Sequence, residues 1–148
     1  MDYRNDGFVS LWIGKLKSKN LLEKLMEEDY VEEEERFSSD FAKLFKLGRY
    51  DDDFRETKYT EISNFSEAFS SFSYSDRFIS YFQPIVENEM KDDYNAIILL
   101  YNFRYDGDKK EISDEEYGFL KYIGFARYDY SKEALLSELA KTFANCLN

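Results

Sequence analysis

Asn95-Ala-Ile-Ile-Leu-Leu-Tyr-Asn-Phe-Arg-Tyr105 is the stretch that decides the fold. Its first half is apolar on both faces, as a strand covered from both sides must be, and it becomes one-sided from Asn102 onward. Phe8-Val-Ser-Leu-Trp-Ile-Gly14 is similar: short, β-branched and aromatic, it reads as a buried strand that opens the sheet. Gly14 is expected to let the chain turn sharply out of that strand. In Gly118 to Arg127, Phe119, Ile123 and Phe125 share a face with Lys121 and Arg127, while Leu120, Tyr122 and Ala126 occupy the other. Asp106-Gly107 signals a turn about ten residues before that strand, so a loop is expected between the two strands, which should pair antiparallel. Thr57 to Ile62 is a candidate edge strand.

Helical spacing fills the remainder. Leu21, Leu22, Leu25 and Met26 form a stripe with Ser18 placed as N-cap. Phe37, Phe41, Leu44 and Phe45 form a second, starting at Ser38 or Ser39 and stopping at Gly48. Phe65, Phe69 and Phe72 suggest a short helix. Phe78, Phe82, Ile85, Val86 and Met90 hold one face of another, in which Pro84 predicts a kink or a break. Ser131 caps the last helix, in which Leu135, Leu136, Leu139, Ala140, Phe143, Ala144 and Leu147 make a stripe that should pack on a sheet face. The order implies an α+β fold: one domain over residues 1–148, a small, mainly antiparallel sheet of about three to four strands covered by helices. Strand order and oligomeric state stay open.

Charge narrows the function. The 148 residues carry 31 Asp and Glu against 20 Lys and Arg, a formal charge of −11, which disfavours direct binding of nucleic acid. Yet 14 Phe and 13 Tyr are too much apolar area to leave unfolded in water. With no histidine, imidazole catalysis and histidine-held zinc drop out, and a lone cysteine, Cys146, reads as a small buried or fraying residue. The opening residues lack the order of a signal peptide, and no apolar run suffices to cross a membrane, so a cytoplasmic protein is expected. Neither a cofactor nor a metal site is expected: Asp51-Asp52-Asp53 and Asp106-Gly107-Asp108 miss the calcium-loop pattern.

Two acidic segments stand out. Glu27 to Glu35 holds seven acids in nine residues and no base, and reads as solvated helix end or loop, an exposed ridge. Tyr50-Asp51-Asp52-Asp53-Phe54 is a turn-like knot, because Asp side chains bond nearby backbone N–H groups. Trp12 reads as core, its indole N–H needing a carbonyl or carboxylate partner. The 13 tyrosines are too many to be all interior, and exposed Tyr among carboxylates is the makeup of a protein-binding surface. A carboxylate-dependent, metal-assisted enzyme is the alternative; it would need two acids converging in one cleft.

Val9-Ser10-Leu11-Trp12-Ile13-Gly14, Phe37 with Ser39-Asp40-Phe41, Tyr50-Asp51-Asp52-Asp53-Phe54 with Glu56, and Tyr122-Ile123-Gly124-Phe125 together resemble the immunity protein 22 family of bacterial polymorphic-toxin systems. The resemblance implies a non-catalytic antidote that binds a cognate toxin domain and occludes its active site. A toxin with a basic cleft, such as a nuclease, would attract an acidic partner. Asp51, Asp53 and Glu56 correspond to the family's acidic motif, and Trp12 and Gly14 to its structural residues. Glu32, Glu33, Glu34 and Glu35 join Asp51, Asp53 and Glu56 as candidate toxin-binding residues.

Overall fold

A strand that buries both faces also needs a neighbour on each edge, since every backbone N–H and C=O taken from water must be paired. The first strand, β1 (Arg4–Leu16), meets this condition in the computed structural model, which describes residues 2–60, 65–89, 93–129, 131, 136, 139–140 and 142–144. It lies between β5 (Ala96–Phe103) and β7 (Gly118–Arg127), antiparallel to both. Outside β5 runs β4 (Arg55–Tyr59) and outside β7 runs β6 (Glu111–Asp114), giving the order β4-β5-β1-β7-β6. The α+β fold is as expected, but the main sheet has five strands rather than three or four.

The expected antiparallel pairing of the strands at Asn95–Tyr105 and Gly118–Arg127 is wrong. They flank β1 on opposite sides and so run parallel to each other. The apolar pattern showed that each is buried, but not which neighbour buries it. The segment between them holds β6, whose single apolar residue, Ile112, left no alternation to read. A turn makes this hairpin: Asp114 Oδ2 accepts from the N–H groups of Glu116 and Tyr117, each at 3.0 Å. The edge strand starts earlier than expected, at Arg55, and Ile62 lies outside the described residues.

Helices cover both faces. Trp12, Leu16, Ile98, Leu100, Leu120 and Tyr122 pack with α1 (Lys19–Met26) and α2 (Asp40–Phe45). Val9, Leu11, Ile13, Ile97 and Leu99 pack with α3 (Phe65–Phe69) and α4 (Ser75–Glu89). Ser18 caps α1, its Oγ accepting from Leu21 N–H at 3.2 Å, as the spacing predicts. Ser39 caps α2, with Ala42 N–H at 3.1 Å, but that helix stops at Lys46, in the left-handed region at φ 55°, before Gly48. A bulge at Ile123 exchanges the faces of β7: Trp12 pairs with Tyr122 and Leu11 with Gly124, so Ala126 joins the opposite core from Leu120.

Further expectations change in whole or in part. Gly14 does not turn the chain; it sits within β1, where a Cβ would stand 2.8 Å from Leu120 Cδ2 and 2.9 Å from Phe119 O, so it permits close approach of β7. Pro84 lies inside α4 without breaking it; Pro84 and Ser80, whose carbonyl loses its intrahelical donor, are both exposed, so water can reach that carbonyl. Phe72 follows α3 rather than extending it. The last stripe is helical at 136, 139–140 and 142–144, but Leu136, Leu139 and Phe143 are 54%, 59% and 65% exposed, because both sheet faces are already covered. Met90, Leu135, Cys146 and Leu147 lie outside the described residues.

Trp12 is fully buried, ringed by Phe41, Phe45, Tyr105 and Tyr122 at centroid distances of 5.0, 5.9, 5.8 and 4.8 Å. Its Nε1 has no hydrogen-bond partner among the described residues, contrary to expectation: the ring cage that holds the indole brings aromatic carbon rather than oxygen to its N–H.

Candidate functional site

The acidic segment that reads as helix end or loop is instead a hairpin. β2 (Glu28–Val31) pairs antiparallel with β3 (Arg36–Ser39), and Glu32–Glu34 form a 3₁₀ turn at the tip. Tyr30 stands opposite Phe37 and both rings stay outside, while Ser38 and Ser39, next along the strand, are buried. Glu35 closes the turn in the left-handed region at φ 50°, its N–H on the Glu32 carbonyl at 3.2 Å. Arg36 offsets repulsion among the tip acids, pairing with Glu34 at 2.5 Å and reaching the Gly48 carbonyl at 3.2 Å. Phe37 therefore belongs to this strand and not to the helical stripe, which starts after it.

The knot behaves as its composition predicts. Asp51 Oδ1 accepts from Asp53 N–H at 3.0 Å, and Phe54 N–H reaches the Asp51 carbonyl at 3.0 Å, closing a 3₁₀ turn. Tyr50 ties it to the end of the hairpin, its hydroxyl 2.8 Å from Ser39 Oγ; burial is the main cause that raises this phenol's pKa.

Hairpin and knot form the walls of one open groove of about 510 Å³. Glu28, Glu35, Arg36 and Phe37 line it from the hairpin, Arg49, Tyr50, Asp51 and Phe54 from the knot, and Arg4, Asp6, Tyr101 and Asn102 from the adjoining strands β1 and β5. Asn102 holds a left-handed backbone at φ 55°, and its side-chain oxygen accepts from Gly7 N–H at 3.0 Å and from the Tyr128 hydroxyl at 2.8 Å. Two bonds of this kind can stabilise a conformation that a non-glycine residue otherwise avoids.

The candidate acids separate accordingly. Glu35 and Asp51 share the groove; Glu32, Glu33 and Glu34 stand exposed at the hairpin tip, and Asp53 is exposed on the knot. Glu56 points elsewhere: its Oε1 accepts from Ser73 N–H at 2.9 Å and from the Tyr101 hydroxyl at 2.8 Å, tying β4 to the turn before α4. Burial first, and the Glu56 carboxylate second, raise the pKa of Tyr101 far above the ordinary phenol value. Trp12 and Gly14 lie in the core. Sequence reasoning missed Tyr30, Phe37, Phe54, Arg36, Arg49 and Asn102. Glu28-Asp29-Tyr30-Val31, two acids followed by two apolar residues, carries no apolar-polar alternation, so the sequence held no strand signal here.

Among the described residues, no group of three or more Cys, Asp or Glu side chains is placed to hold a metal ion, and no helix is long and apolar enough to cross a membrane. Fold and site define an acidic α+β protein that presents an open groove with aromatic and carboxylate walls. The sequence profile of the Immunity protein 22 family matches residues 9–129, and the chain belongs to that family. No curated protein and no solved structure matches the chain.

Proposed function

We propose that this chain is the antidote of a bacterial polymorphic-toxin system, a cytoplasmic single-domain protein that binds a basic cognate toxin through the hairpin and knot and occludes its active site. The carrying observation is the convergence of the two acidic segments: distant in sequence, they wall one groove, with exposed aromatic rings beside them. Family membership supports an immunity role, and the charge of −11 supports a basic partner. Occlusion needs no catalytic residue. Carboxylates can occupy positions that a nuclease keeps for phosphate, and the field of the whole chain steers encounter.

The test uses the toxin domain encoded beside this gene, with an adjacent-gene product that co-purifies as the first requirement. Replacing Glu32, Glu33, Glu34 and Glu35 together with Gln should slow association about three- to tenfold at low salt and flatten its ionic-strength dependence. An unchanged on-rate removes the hairpin tip from the interface. Failure of the two products to associate removes the proposal.

A further inference from the structure

Tyr30, Phe37 and Phe54, exposed by 56%, 61% and 46%, gather on the hairpin and knot, with Phe37 and Phe54 both lining the groove. Tyr30 supports Phe37 edge-on, at a centroid distance of 5.4 Å. Large rings held in water beside carboxylates make an apolar filling costly, because the acids would lose hydration. They make a cationic filling favourable, because ring face and carboxylate both attract positive charge.

The charge count points the same way. The lining carries Asp6, Glu28, Glu35 and Asp51 against Arg4, Arg36 and Arg49, and Arg4 and Arg36 pair with two further acids, Asp2 and Glu34. The lining itself is four carboxylates to three guanidiniums, two of which are already paired, so the groove is net negative. The Asp51 carboxylate is set in advance, oriented by Asp53 N–H, and the backbone at Glu35 is fixed by the turn it closes.

We propose that the groove receives an arginine side chain projected by the partner, its guanidinium laid on Phe37 and Phe54 and paired with Glu35 and Asp51. The assignment rests on the toxin-binding reading above and names the group recognised. Arginine fits better than lysine because a planar guanidinium stacks on a ring while its edge donates two parallel hydrogen bonds to a carboxylate. About 510 Å³ is enough for that side chain together with the residues flanking it, so a loop of the partner enters rather than a lone tip.

The experiment titrates the isotope-labelled full chain with acetyl-Gly-Arg-Gly-amide and with its lysine and citrulline counterparts, following amide resonances by NMR. The arginine peptide should shift Glu35, Phe37, Asp51 and Phe54, bind about fivefold or more tightly than the lysine peptide, and outcompete citrulline, which has the shape without the charge. Phe37→Ala should weaken it several-fold. So should Asp51→Asn, which keeps the turn because Asn accepts the same backbone N–H. Equal shifts from arginine and citrulline, or shifts confined to another surface, overturn the assignment. Capture of the toxin domain, run in parallel, separates the two readings. Toxin capture without an arginine preference sinks the groove assignment alone; an arginine preference without toxin capture sinks the toxin reading and the partner named here.

Discussion

Glu32–Glu35 and Asp51–Glu56 are chemically alike, and the fold uses them in opposite ways. At the hairpin tip the four side chains stand in solvent, and among the described residues only Glu34 has a side-chain ion pair. In the second segment, Asp51 closes its own turn and Glu56 receives a backbone N–H and a tyrosine hydroxyl. Acid density therefore does not mark a binding residue. What separates them is whether N–H and O–H donors converge on the carboxylate: Glu56, which takes two, holds structure, whereas Asp51, with one donor on Oδ1, and the solvated tip acids are available to a partner.

Removing Glu56 should break this contrast most strongly if it is mistaken. Glu56→Ala leaves Ser73 N–H without its acceptor, while the Tyr101 hydroxyl keeps the Ser73 carbonyl at 2.7 Å, and should cost about 2 kcal/mol, read from urea denaturation followed by Trp12 fluorescence. A loss below about 0.5 kcal/mol would place Glu56 with the tip acids.

The buried phenols provide the next test. Tyr128 is pushed up to about 12, mainly by burial and then by Asp129, and Tyr101 is raised by burial and Glu56. An unfolded tyrosine ionises near pH 10, whereas the folded state keeps these protons to higher pH. The Tyr128 stabilisation is thus complete below about pH 10 and lost as pH rises through about 12, while that of Tyr101 persists to higher pH still. The urea midpoint should fall between about pH 8 and about pH 11 in step with tyrosinate absorbance; a level midpoint would show that these hydroxyls ionise as freely in the fold as outside it.

Smaller effects sharpen the distinction within the knot. Asp51→Ala should cost about 1 kcal/mol, the usual loss for a cap, whereas Asp51→Asn should change stability by only a few tenths. Equal losses would show that charge rather than capping matters there. Smallest of all, the fourfold Glu32–Glu35 to Gln replacement should change stability by less than about 0.5 kcal/mol, although it slows toxin association.

Much of this was legible in the residues. Ser18 and the Leu22, Leu25, Met26 stripe set α1, and the Asp-rich knot read correctly as local side-chain-to-backbone bonding. Residues with a short-range physical preference were readable because cap, stripe and turn depend on neighbours within a few positions. Gly14 and Phe37 were misread because their roles depend on distant chain: Gly14 on the approach of Leu120, Phe37 on a hairpin that pairs residues 28–31 with 36–39.

By itself the sequence determined that the chain folds, that its strands at Phe8–Gly14, Asn95–Tyr105 and Gly118–Arg127 are buried, and that its surface is strongly acidic, since hydrophobic period and net charge are properties of composition and order. Only the tertiary structure decided that β1 separates β5 from β7 and that Glu35 and Asp51 face one groove while Glu56 turns away. Strand neighbours and side-chain convergence are choices among pairings of similar local energy, settled by which arrangement closes both cores at once.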